Sequence, residues 1–100
     1  LTDNELKEAL KSYLKITWME EDNDLLKIVE RGKNYLNDTS GTALGYLKGS
    51  QETQLLLDYG RYVYNHSLEL FEINFERELF KLSLREGLKA YASQDTETTT

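Results

Sequence analysis

The side chains that could do chemistry in this chain are few, and their spacing is poor for it. His66 is the one imidazole and there is no cysteine. No serine stands in a nucleophile-elbow or triad setting around that histidine. His66 therefore reads as a corner or capping residue, no enzymatic role is expected, and thiolate and multi-histidine metal sites are ruled out. The run Glu20-Glu21-Asp22-Asn23-Asp24 has enough carboxylate for a divalent cation. It lacks the glycine at loop position six and the closing glutamate of an EF-hand. Negative charge at a helix start explains the run better, because the helix dipole favours carboxylates there. Gly41, Gly45 and Gly49 are not followed by the Lys-Ser or Lys-Thr of a phosphate-cradling loop. Asn37-Asp38-Thr39 and Asn65-His66-Ser67 fit the glycosylation sequon, but the acidic start Leu1-Thr2-Asp3-Asn4-Glu5 is unlike a signal peptide, so both read as turn chemistry. No cofactor and no metal is expected.

Charge narrows the partners. The chain carries 12 basic and 18 acidic residues, a net −6, and the acidic excess is present in both halves. Phosphate neutralisation by Lys and Arg drives nucleic-acid affinity, so a dedicated DNA- or RNA-binding surface is disfavoured. No apolar run approaches the roughly 18 residues that would span a bilayer. A soluble protein of intracellular origin, with no membrane partner, is the expectation.

The elements that must position these residues are helices. There is no proline, and the apolar spacing has the period of a helix. Thr2-Asp3-Asn4-Glu5 has the form of a capping box opening a first helix, with Leu6, Ala9, Leu10, Tyr13 and Leu14 on one stripe and Lys7, Glu8 and Lys11 facing water. Thr17-Trp18-Met19-Glu20 repeats the box ahead of a second helix ending near Asn37, with Leu25, Val29, Gly32 and Leu36 inward. Gly32 inside that pattern predicts close approach by a neighbour. Asn37 to Gly49 reads as the most mobile stretch before the tail. Ser50 should cap a third helix reaching about His66, with Leu55, Leu56, Tyr59, Tyr62 and Val63 inward and Gly60 again allowing close packing. A fourth helix from about Glu69 places Leu70 or Phe71, Phe75, Leu79 and Leu82 on one side, widened by Phe80 and Leu84, until Gly87 supplies a stop, beyond which Leu88 to Ala92 either extend it or form a separate arm. The expected architecture is all-α: one domain over residues 1–92, a bundle of about four helices, followed by a disordered polar tail or arm at 93–100.

Aromatic residues concentrate between Leu55 and Phe75, which hold three of the seven tyrosines and two of the three phenylalanines. Rigid side chains with a polar tip suit a core edge and equally a subunit interface. Tyr59 and Val63 are assigned inward, while Arg61, Tyr62 and Tyr64 form a candidate interaction edge. Trp18 and Tyr46, at segment boundaries, are either core plugs or interface anchors. Tyr91 is a further interface candidate in the C-terminal arm.

The order of these segments resembles the small head-tail connector proteins of tailed phages and prophages. The resemblance rests on Lys11-Ser12-Tyr13-Leu14-Lys15-Ile16-Thr17-Trp18 leading into an acidic helix start, and above all on Leu55-Leu56-Leu57-Asp58-Tyr59-Gly60-Arg61-Tyr62. It runs from about Thr2 to Leu84. It implies a head-completion adaptor, an all-α subunit of a homo-oligomeric ring, typically dodecameric, at the virion head-tail interface. Such a ring sits under the portal protein, docks a stopper or tail-completion protein, and lets DNA pass through its channel without specific binding. The competing expectation is a small regulatory or protein-binding module of helix-turn-helix type, for which Gln51 to His66 offers only Arg61 as a cation.

Overall fold

Local signals fix most of the helix ends. The computed structural model describes the backbone of residues 1–98 and the side chains of residues 1–92, and among them all regular structure is helical. Helix α1 (Asp3–Leu14) opens on the expected capping box. Thr2 Oγ1 accepts from the Glu5 amide at 3.1 Å and Glu5 Oε1 accepts from the Thr2 amide at 2.9 Å. Helix α3 (Gln51–Tyr64) starts at Ser50, whose Oγ accepts from the Thr53 amide at 3.2 Å.

Other ends depart from expectation. Helix α2 (Asp22–Ser40) begins later than the second Thr-x-x-Glu pattern suggests. Its N-cap is Glu21, which makes no capping bond because its carboxylate accepts from Trp18 Nε1 at 2.6 Å and from the Tyr64 hydroxyl at 2.9 Å. The helix continues past Asn37 and closes at Gly41 in the left-handed conformation, φ 77°. The expected fourth helix is divided. A 3-10 turn at Leu68–Leu70 leads into the single turn α4 (Phe71–Asn74), and α5 (Glu76–Thr98) follows a break at Phe75. Aromatic contacts hold that bend, with Phe75 stacked on Phe71 at 5.0 Å and edge-on to Tyr62 at 5.6 Å. Gly87 does not stop α5. One glycine costs a helix about 1 kcal/mol, and here Glu86 bridges Arg85 (2.9 Å) and Lys89 (3.1 Å) around it. The tail expected at 93–100 lies outside the residues whose side chains are described.

Helices α2 and α3 form the centre, and α1 and α5 each pack on both. Two glycines set how closely. A Cβ on Gly32 would meet Leu56 Cδ1 and lie 2.9 Å from Tyr59 Cδ1, and a Cβ on Gly60 would lie 2.7 Å from Leu10 Cδ1. Around these contacts Leu6, Leu10, Leu25, Val29, Leu36, Leu55, Leu56, Tyr59, Phe71 and Leu82 are buried. Of the apolar faces read from the sequence for α1 to α3, Leu6, Leu10, Leu25, Val29, Gly32, Leu36, Leu55, Leu56 and Tyr59 are inside and Ala9, Leu14, Tyr62 and Val63 are half-buried, but Tyr13, expected on the inward stripe, is 40% exposed.

The loop after α2 is tied down. Tyr46 is 1% exposed despite a left-handed backbone, φ 50°. Its hydroxyl donates to Asn37 Oδ1 at 2.9 Å and lies 3.2 Å from the Lys33 carbonyl. Asn37 Oδ1 also accepts from the Leu44 amide at 3.1 Å, and Thr53 Oγ1 donates to the Leu47 carbonyl at 2.8 Å. Thus Asn37, read as turn chemistry, is a clamp in the last turn of α2.

Phe80 and Leu84, expected to widen the core stripe, instead lie on the face of α5 opposite Leu79 and Leu82 and are 66% and 50% exposed. From Gly87 to Ala92 every residue is exposed, so α5 leaves the bundle there. The radius of gyration, 15.2 Å, reflects this projection; a compact chain of this length would have about 13 Å.

Adding one methyl group should therefore have opposite effects at two glycines. At Gly32, overpacking costs about 1–3 kcal/mol and outweighs the helix-propensity gain of about 1 kcal/mol, so Gly32→Ala lowers the urea midpoint. Gly87 has nothing within 4 Å of its would-be Cβ. Gly87→Ala should then keep the propensity gain alone and raise helicity by circular dichroism.

Candidate interaction surfaces

The edge assigned to Arg61, Tyr62 and Tyr64 is organised by a buried carboxylate. Asp58, 7% exposed, projects from α3 toward α1. It accepts from the Tyr13 hydroxyl at 2.6 Å, from Gln54 Nε2 at 3.3 Å and from Arg61 Nη2 at 3.4 Å. The bond from Tyr13, followed by burial, raises the Tyr13 phenol above its ordinary value. Arg61 lies 4.8 Å over the Tyr62 ring, a cation-π contact. Tyr62 is half-buried, packs edge-on against Phe71 and Phe75, and accepts from Asn74 Nδ2 at 2.9 Å. The Arg61 and Tyr62 side chains are thus engaged within their own chain, and sequence reasoning missed Asp58 as the residue that gathers them. Nearby, Tyr35 stacks on Tyr59 at 5.5 Å and donates to Glu72 at 2.9 Å. Burial first and Glu72 second push its phenol up to about 12.

The acidic run does two structural jobs besides placing Asp22 and Asp24 in the first turn of α2. Asp22 Oδ1 accepts from Lys11 Nζ at 2.7 Å, and its other oxygen lies 3.5 Å from Lys7 Nζ. Both lysines, expected to face water, lie against α2, and Lys11 is 7% exposed. The Lys11 hydrogen bond holds the Asp22 carboxyl below its ordinary value. Glu21 joins Trp18 to Tyr64, fastening the α1–α2 corner to the end of α3. Trp18 remains 46% exposed and its neighbour Met19 73%. Among the described residues no group of three or more His, Cys, Asp or Glu is placed to hold a metal ion.

A groove of about 610 Å³ opens beside this corner. It is lined by Leu25, Ile28 and Val63 together with Glu21, Asp24, Lys27, Arg31, Tyr64 and His66. His66 occupies the corner after α3 with a left-handed backbone, φ 57°. Trp18 and Tyr64 are therefore brought together, while Tyr46 takes the core-plug role and presents no surface. Tyr91 lies elsewhere, 65% exposed on the projecting part of α5, in line with Phe80, Leu84 and Leu88. The sequence reading did not separate that exposed apolar stripe from the core. The signal was present, because apolar residues on α5 fall on two faces and one face suffices for packing.

Two stability experiments follow. Tyr13→Phe should cost about 1 kcal/mol and Asp58→Ala more, since it strips three donors of their acceptor. A double-mutant cycle between them should show clear coupling, and additivity would contradict the bond. For pH, the depressed Asp22 value gives stability that is fully present above its unfolded pKa, about 3.9, and lost as pH falls through the lower folded value. Urea midpoints should drop below about pH 4, and Asp22→Asn should flatten that drop. At the alkaline end, the raised Tyr35 value gives stability that is present below about pH 10 and lost toward the folded value of about 12.

Compared with known proteins, the chain matches no family model, no curated protein and no solved structure.

Proposed function

We propose that this chain is a structural subunit of a phage or prophage head-tail connector, assembling as a ring under a portal protein and docking a stopper or tail-completion protein. The observation that carries this reading is the surface of α5. Phe80, Leu84, Leu88 and Tyr91, each half exposed or more, form one helical stripe outside the chain's own core. Contiguous apolar surface of this kind marks an interaction site. The resemblance of the ordered segments from Thr2 to Leu84 to connector proteins supplies the role. The α3 segment that dominates the resemblance is also the central packing helix, as an assembly part of defined shape requires.

The acidic balance supports a passive relation to DNA, since a wall of carboxylates repels phosphates and lets a duplex slide. A helix-turn-helix role is disfavoured by the geometry of α3. Its Leu55, Leu56, Asp58 and Tyr59 are buried, so it lacks a free face for a groove of DNA. No helix among the described residues is long and apolar enough to cross a membrane.

The test is coexpression with the portal protein encoded in the same genome, read by native mass spectrometry and electron microscopy. A ring of this chain bound to the portal is expected, with no duplex DNA retained at physiological salt. Failure to associate with the portal, or a gene lying in a transcription cassette away from capsid and tail genes, would sink the proposal.

A further inference from the structure

We infer that the cleft between Tyr35 on α2 and the turn at 68–72 holds the guanidinium of an arginine side chain carried by a partner protein. The inference is independent of the connector reading and rests on aromatic rings and carboxylates meeting in one small cavity. The cleft has a volume of about 170 Å³, room for one guanidinium with part of its stem, and is lined by Tyr35, Tyr59, Leu68, Glu69, Phe71 and Glu72. No lysine or arginine lines it.

The inner side of the cleft is aromatic. Tyr59 and Phe71 are buried, and Tyr35 and Leu68 are half-buried. Tyr35 and Tyr59 are stacked, 5.5 Å between ring centroids and 26° between planes. Phe71 stands across both, 6.0 Å from Tyr35 at 71° and 5.6 Å from Tyr59 at 86°. Rings of two orientations around one cavity are how aromatic cages hold a cation, whose charge is drawn to the π faces. A neutral apolar group would also suit such rings, so the charges at the mouth decide between them.

Those charges are negative. Glu69 and Glu72 are both exposed. Glu72 Oε1 accepts from the Tyr35 hydroxyl at 2.9 Å. Among the described residues neither carboxylate is in an ion pair, and Glu69 accepts no side-chain hydrogen bond. Residues 67–76 hold three carboxylates (Glu69, Glu72 and Glu76) and no lysine or arginine. Arg31, one turn before Tyr35 on α2, lines the other groove. The Tyr35 phenol reflects the same field, since burial and then Glu72 raise it and no cation opposes them. An arginine satisfies both halves of the site, because its planar guanidinium stacks on rings while its N–H groups bond carboxylates. A lysine ammonium offers no planar face, and a quaternary ammonium has no N–H for the carboxylates. The cavity encloses an end group only, so the rest of the ligand stays outside, as it does for a side chain projecting from a larger partner.

The test titrates the full-length protein, its aromatic rings labelled for NMR, with Nα-acetyl-arginine methylamide at physiological salt. The ring signals of Tyr35, Tyr59 and Phe71 should shift together and saturate at millimolar concentrations of this single-residue probe. Binding should weaken about tenfold in Glu72→Gln and weaken also in Glu69→Gln. It should be unchanged in Glu30→Gln, which alters an exposed carboxylate of α2 away from the cleft. Circular dichroism checks that these surface variants fold. The equally capped lysine should bind more weakly, and capped citrulline, the neutral isostere of arginine, should bind least. Citrulline binding as tightly as arginine would overturn the inference and leave an apolar slot. Shifts spread over other acidic surface, binding that survives the combined Glu69→Gln and Glu72→Gln changes, or no ring shift at all would overturn it too. If the same rings shift with protein concentration alone, and Arg31→Gln or Arg77→Gln abolishes that shift, the arginine belongs to a second copy and the assignment to a partner protein is overturned. A chain that binds capped arginine but no portal keeps this site and loses the connector role.

Discussion

Everything in this bundle depends on how closely α3 can approach its two neighbours. At Gly32 the side chains of Leu56 and Tyr59 occupy the space a Cβ would take, and at Gly60 the tip of Leu10 does the same. The missing side chains bring α3 against α2 on one side and α1 on the other, and buried leucines fill the space between. A core this small gains little from any one contact. Close approach matters because it increases the number of weak contacts each leucine makes without adding residues. It also fixes where the polar side chains of α3 emerge.

That placement explains the polar architecture. Asp58 comes out of α3 at the seam with α1, within reach of Tyr13 and Arg61, and a buried carboxylate is tolerated because three donors meet it. Glu21 and Asp22 perform related tasks one helix away, the first joining Trp18 to Tyr64 and the second gathering Lys7 and Lys11. An acidic protein has thus placed part of its charge in seams between elements. Other carboxylates are used along helix surfaces, such as Glu86 between Arg85 and Lys89. These bonds orient the helices more than they stabilise them, since partly exposed ion pairs contribute little each. Among the described residues one buried polar atom, Arg61 Nε, has no hydrogen-bond partner, and one face of α5 carries exposed apolar side chains.

Much of this was legible from residue order. The Thr2–Glu5 box, the Ser50 cap and the inward faces of α1, α2 and α3 depend on interactions within a few residues, and those are written in spacing. The second box, Thr17 to Glu20, does not form: α2 starts only at Asp22, and its N-cap Glu21 holds Trp18 and, 43 residues away, Tyr64. Gly87 did not act as a stop, since one glycine costs a helix only about 1 kcal/mol and α5 runs on through it. Of the interface candidates, Tyr46 became a core plug through its bonds to Asn37 and Lys33, and Trp18, Tyr64 and Tyr91 remain at accessible positions.

The sequence by itself determined that the chain is helical, where α1 and α3 begin, which faces of the first three helices are apolar and where two helices must come close. These are consequences of local backbone bonding and of a 3.6-residue period. Only the tertiary structure decided which apolar residues of α5 are inside, that Asp58 is a hub and Tyr46 a plug, and that Trp18 and Tyr64 meet at one corner beside the groove. Those outcomes depend on competition between partners distant in sequence, and a helix with two apolar faces carries no local mark of which one its neighbours will cover.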